Sequence, residues 1–250
     1  MSAERLLPPP SLRERLIERV TRSARASRAF VTVRAPGTPA QALADGVAAR
    51  CLYEAGGTAW RPGQPRRVRI IDLAAGAAWT PELAAGDQAE WLVMAGSVRL
   101  ADEHLERCDY HWAPPGRPTP LLRAVCAARV MLREAPAAAQ ARMQSAITRA
   151  DATTPWEDFA PGIRRRVLWT RGGEAALLYQ AAAGARVPGH GHRRDEECLM
   201  LDGEVFLDDL LLRQGDYQLA PAGTAHAGVS TDIGGLIFAH GDLDLDRRAD

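Results

Sequence analysis

Short apolar or alternating runs, punctuated by Gly and Pro, dominate the chain. In the first half, Val68–Leu73, Glu90–Met94, Ser97–Leu100 and Arg129–Leu132 read as strands. In the second half, Arg166–Trp169, Ala176–Tyr179, Cys198–Leu201, Val205–Leu207 and Leu236–Phe238 read the same way. Helical periodicity is expected in two places. After three prolines, Ser11 can cap a helix and Glu14 completes a capping box. Leu12, Leu16, Ile17 and Val20 then fall on one face. The segment after Pro136, Ala137–Ile147, has high helix propensity and is expected to be a connecting helix.

The two halves repeat. Glu90-Trp-Leu-Val-Met-Ala-Gly96 corresponds to Glu197-Cys-Leu-Met-Leu-Asp-Gly203. Asp109-Tyr-His-Trp-Ala-Pro114-Pro-Gly116 corresponds to Asp216-Tyr-Gln-Leu-Ala-Pro221-Ala-Gly223 at the same offset of 107 residues. Upstream, Gly76 answers Gly184 with a slip of one residue. A repeat of this size implies two copies of one structural unit, here two small antiparallel barrels in tandem. The N-terminal helix is expected to pack on a barrel or on a second copy of the chain, with its Arg-rich face in water.

The chemistry concentrates in residues 184–226. Gly184, five residues, His190-Gly-His192, three residues, Glu196, six residues and Gly203 form one block. Gly215, five residues, Pro221-Ala-Gly223, two residues and His226 form the second. Side chains two apart on a strand point to the same face, so His190 and His192 can both point into a barrel. Glu196 and His226 can arrive from neighbouring strands. Three imidazoles and one carboxylate suit a divalent metal. In the first half the His-x-His place is taken by Pro81-Glu-Leu-Ala-Ala, that of Glu196 by Ala89 and that of His226 by Thr119. His104 and His111 lie off the ligand positions and are expected at the surface or rim.

These blocks resemble the cupin superfamily. Within it, the acid pair Glu196-Glu197, the segment Gly215–His226 and Pro155-Trp156…Pro161-Gly162 before an Arg-rich strand resemble the cupin domain of ChrR-type anti-sigma factors. Ser230 stands where some cupin motifs carry Asn. The resemblance implies a mainly β fold: two tandem cupin (double-stranded β-helix, jelly-roll) barrels with an N-terminal helical extension. It divides the chain into a helical extension (1–55), a degenerate, metal-free barrel (56–136), a helical linker (137–154) and a metal-binding barrel (155–250). It assigns His190, His192, Glu196 and His226 as ligands of one divalent ion, zinc, with Fe(II), Mn(II) or Ni(II) as alternatives. It further implies a regulatory or sensing protein with a sigma factor or other regulatory protein as partner. The family's N-terminal zinc module is missing, because no His precedes position 104 and Cys51 is the one Cys in that stretch. The alternative is a metal-dependent dioxygenase acting on a small diketone or aryl ketone.

Composition narrows the rest. Net charge is zero over 250 residues, which argues against nucleic acid and membrane as partners. Every basic residue is Arg, so no lysine chemistry is available. The four cysteines form no Cys-x-x-Cys and no disulfide framework. Without a secretory signal or an apolar run of spanning length, the cytoplasm is the expected location. A second copy of the chain is a further candidate partner. A small-molecule ligand is expected in the C-terminal barrel, with Tyr179, Leu199, Leu201, Phe206, Tyr217, Leu219 and Phe238 as candidate lining. Cys198 is expected to be buried and inert, Glu197 to face away from the barrel interior towards an Arg, and His240 to face solvent or approach the metal mouth.

Overall fold

The computed structural model describes residues 11–55, 65–137, 141, 145–244 and 246–247. One helix, α1 (Leu12–Ala29), precedes the strands. Its capping box forms: the Glu14 amide donates to Ser11 Oγ at 3.3 Å, and the Ser11 amide to Glu14 Oε2 at 2.7 Å. The predicted apolar face does not pack on a barrel. Leu12, Leu16, Ile17 and Val20 are all more than half exposed.

The first half holds β1 (Val31–Val33), β2 (Gln41–Ala44), β3 (Val47–Glu54), β4 (Arg67–Leu73), β5 (Ala78–Trp79), β6 (Asp87–Ala95), β7 (Ser97–Leu100), β8 (Glu103–Glu106), β9 (Tyr110–Ala113), β10 (Leu122–Ala124) and β11 (Ala128–Pro136). The second holds β12 (Ile147–Arg149), β13 (Glu157–Ala160), β14 (Ile163–Arg171), β15 (Glu174–Ala181), β16 (Arg186–Gly191), β17 (Glu196–Leu207), β18 (Leu210–Arg213), β19 (Tyr217–Ala220), β20 (Ala225–Ser230), β21 (Gly235–Asp242) and β22 (Asp246–Arg247). Every strand expected from sequence lies within one of these.

Among the described residues the strands pair antiparallel. In the first half a seven-stranded sheet, β12-β9-β6-β11-β4-β3-β2, faces a four-stranded one, β5-β10-β7-β8. In the second half the long β17 runs through both faces. Its start pairs with β19 and β21, and its end with β18 and β20. Both halves are thus jelly-roll barrels.

Two boundaries move. Residues 41–54, expected within the helical extension, form β2 and β3 and pair onto β4. The expected connecting helix lies mostly outside the described residues, and its predicted end, Ile147, is in strand β12. Each half also lends a short strand to the other. β1 pairs with β19 of the second barrel, and β12 with β9 of the first. Three-residue strands carry too little pattern to be seen locally; their pairing partners supply the order.

Three apolar clusters result. Trp91, Val93, Leu100, Leu122, Val130 and Leu132 belong to the interior of the first barrel. Cys198, Met200, Val205, Leu207, Leu212 and Ile237 belong to that of the second. The third lies between the large sheets, where Leu92, Tyr110, Trp112 and Met131 meet Trp169, Leu199, Tyr217 and Phe238. Strands β6 and β21 are therefore buried on both faces along most of their length.

A polar network crosses this interface. Arg133 donates from Nη1 to Glu90 and from Nε to Glu197, both at 2.7 Å. Tyr110 donates to Glu90 at 2.8 Å and Tyr217 to Glu197 at 2.9 Å. Burial opposes the charge on Arg133, but the two carboxylates hold its pKa above the usual range. His240, at the repeat position of Arg133, is also buried here. Its Nε2 lies 3.3 Å from Glu90, and its ring stacks on Trp169. His240 neither faces solvent nor approaches the metal mouth, because it lies on the interface face of β21. Glu197 does face away from the barrel interior and meets an Arg, which comes from the other barrel.

Candidate metal centre

His190 lies near the end of β16 and His192 directly follows it, Glu196 starts β17, and His226 is on β20, paired in register with His190. The ligand atoms of His190, His192 and Glu196 all lie within 4.8 Å of one another. The His226 ring is 4.9 Å from that of His192 and 5.6 Å from that of His190. All three histidines are buried. The four residues singled out in the sequence are thus brought together.

Each imidazole is held by its other nitrogen. His190 Nδ1 lies 3.2 Å from the carbonyl of Pro188, which can only accept. His192 Nδ1 lies 3.0 Å from Thr224 Oγ1, whose own proton goes to the Pro221 carbonyl. His226 Nδ1 lies 3.3 Å from Asp208, whose other oxygen accepts the amides of Ala227 and Gly228. These partners set Nδ1–H tautomers and leave each Nε2 lone pair free. The Nε2 atoms of His192 and His226 are buried without a hydrogen-bond partner; that of His192 sits 3.4 Å from Glu196 Oε1. Burial lowers the pKa of His192 although Glu196 pulls it up, which favours the neutral, ligating form. Buried, orphaned and convergent nitrogens beside a carboxylate fit a divalent cation.

Asp208 and Thr224 escaped the sequence reading. Asp208 sits at φ 57 in the turn between β17 and β18, a conformation uncommon for a side-chain-bearing residue. An acidic residue in a hairpin turn gave no sign that it supports His226.

Beside the centre lies a cavity of about 80 Å³. His190, Glu196, Cys198 and Tyr179 border it, with Phe159, Ile163, Val187, Val229, Ile237 and Ala239 among its apolar walls. The Tyr179 hydroxyl is buried without a hydrogen-bond partner. Burial, and then Glu196, push its pKa above the ordinary phenol range, so it stays a donor. Of the expected lining residues, Tyr179 is in place. Leu199, Leu201, Tyr217, Leu219 and Phe238 instead lie in the interface core. On β17 and β21 the interior phase belongs to Glu196, Cys198, Ile237 and Ala239. Both faces are apolar, so alternation alone could not choose between them. Phe206, half-buried, is not among the cavity residues. Cys198 is buried, and its thiol is pushed well up by burial and by Glu196. His104 is at the surface as expected; His111 is buried and bonded to Thr148 at 2.9 Å.

The fold and the spacing of the candidate ligands are those of a cupin-like jelly roll. More particularly, residues 144–244 match the family model of the ChrR Cupin-like domain. No curated protein matches the chain. Among solved structures, a protein provisionally described as a dioxygenase from Nostoc punctiforme is similar, with a TM-score of 0.68, 16% identity, and 89% and 85% of the two chains covered. Quercetin 2,3-dioxygenase from Acinetobacter baumannii gives 0.65, 10% identity, and 87% and 80% coverage. A bacterial pirin from Escherichia coli in complex with nickel(II) gives 0.65, 9% identity, and 85% and 98% coverage. At these identities the likeness is one of fold.

Proposed function

We propose that the C-terminal barrel binds one divalent metal through His190, His192, Glu196 and His226, and that the protein is a regulatory or sensing cupin of the ChrR-like type. The carrying observation is the set of buried imidazoles, each held at Nδ1, with ligand atoms of His190, His192 and Glu196 within 4.8 Å of one another and the His226 ring 4.9 Å from that of His192. Zinc suits a closed tetrahedron of three imidazoles and one carboxylate. The ChrR Cupin-like match supports the regulatory part. The first barrel is a degenerate, metal-free copy kept for packing, dimerisation or partner contact. The partner is a sigma factor or another regulatory protein in the cytoplasm.

The cavity beside the ligands favours a second reading: a dioxygenase using Fe(II), Mn(II) or Ni(II). There a bound metal would supply Lewis acidity and an open coordination position. Elemental analysis of protein purified without chelators separates the two. Near-stoichiometric zinc supports the sensing role; iron, manganese or nickel supports the enzyme and calls for oxygen-uptake assays. His192→Ala is expected to lose the metal and lower Tm; full metal stoichiometry in that variant would overturn the ligand assignment.

A further inference from the structure

The two short strands that the halves exchange are themselves a repeat. β1 sets Val31, Thr32 and Val33 against Leu219, Gln218 and Tyr217, and β12 sets Ile147, Thr148 and Arg149 against Trp112, His111 and Tyr110. These partners again differ by the 107-residue offset. The side-chain bonds match as well. Gln218 Nε2 donates to Thr32 Oγ1 at 3.2 Å, and Thr148 Oγ1 lies 2.9 Å from His111 Nδ1. The residue that enters each strand does not match: it is Ala146 before β12 and Phe30 before β1. Ala146 is exposed, whereas Phe30 is half-buried, its ring 5.0 Å from that of His226 and tilted by 49°. The strap on the barrel with the three imidazoles thus carries an aromatic ring. The strap on the barrel without them carries a methyl group at the same place.

This strap is fastened on one side of Phe30. Beyond β1, the Arg34 guanidinium donates to Asp216 at 2.7 Å and to the carbonyl of Leu211, and the Ala35 amide donates to Asp216 at 3.0 Å. Before Phe30, α1 leaves Leu12, Leu16, Ile17 and Val20 exposed. Ring packing at this separation favours one imidazole orientation, which Asp208 holds from Nδ1. The phenyl ring also keeps water from a side chain that is only 2% exposed.

We propose that Phe30 is the cover of the metal centre. It is a positioning residue, carried on a strap from outside the barrel, that keeps His226 in its ligating orientation and slows exchange of the ion. This role rests on the metal reading, and holds whether the ion serves sensing or catalysis.

The test uses full-length protein loaded with zinc(II). Release of zinc to excess 4-(2-pyridylazo)resorcinol is followed by absorbance, after zinc content and Tm have been measured for each protein. Phe30→Ala, which copies Ala146, is expected to hold zinc at wild-type stoichiometry and release it about 2- to 10-fold faster, the worth of one aromatic pair. Phe30→Tyr keeps the ring and is expected to release zinc at the wild-type rate. Phe30→Val is a milder truncation, expected to speed release in the same direction, and it decides the matter if the alanine variant does not fold. Wild type that takes up no zinc ends the metal reading and this role with it. Zinc-loaded wild type that releases the ion as fast as the truncated variants overturns the cover alone, as does release from Phe30→Tyr as fast as from Phe30→Ala.

Discussion

Where the C-terminal barrel has Glu196, Cys198 and Ala239, the N-terminal barrel has Ala89, Trp91 and Leu132 at the equivalent strand positions. The backbone around them is repeated closely. Gly96 and Gly203 have φ of 73° and 69°, and a Cβ on either would lie 2.2 Å from a carbonyl oxygen, of Ala127 and Gly234 respectively. Ala101 and Asp208 occupy the same left-handed turn at φ 52° and 57°. At the second of these the turn carries the carboxylate that steadies His226; at the first it carries a methyl group. The same scaffold thus encloses a packed apolar interior in one half and a polar centre with a cavity in the other. The difference lies in a few inward side chains.

Emptying the packed barrel should give the largest effect. Trp91→Ala removes a fully buried indole, and denaturant unfolding is expected to show a loss of about 3–5 kcal/mol. A loss under about 1 kcal/mol would mean that this barrel is not held by its filling.

The next effect depends on pH. His111 is held down to about 4 by burial. The unfolded chain therefore takes up its proton first. The stabilisation is fully present above about pH 6.5 and is lost as pH falls towards 4, by on the order of 3 kcal/mol. His111→Gln, which copies Gln218 of the other barrel, is expected to flatten that slope while changing neutral-pH stability little. An unchanged slope between pH 6.5 and 4 would count against it.

The smallest effect is expected from Thr119→Ala, at the place that answers His226. Elemental analysis should find the metal content unchanged. A fall would mean that the first half also contributes to metal binding.

Much of this contrast was legible in the sequence. The 107-residue offset aligned the glycines, and glycine at a positive φ beside a carbonyl oxygen has no ready substitute. His190, His192, Glu196 and His226 were legible because the Gly/Pro frame fixed their register. What stayed hidden depended on distant partners. Val31–Val33 and Ile147–Arg149 are strands because β19 and β9 offer open edges. Arg133 reads as one more charge in an apolar strand until Glu90 and Glu197 arrive from both barrels. The interior phase of β17 was lost because Leu199 and Leu201 are as buried as Cys198 and Met200, only against the other barrel.

The exchange of β1 and β12, with Arg133 bridging Glu90 and Glu197, bears on how such a chain can evolve. A fragment confined to residues 144–244 would leave β12 without the edge it pairs with and β19 without β1. It would also bury Glu197 with no guanidinium opposite. Substitutions inside either barrel leave these shared contacts intact, whereas deleting one barrel removes pairing partners and a counter-charge from the other. The half that carries Ala89 and Thr119 thereby supplies an edge strand and the guanidinium that the half carrying His190 and His226 lacks on its own.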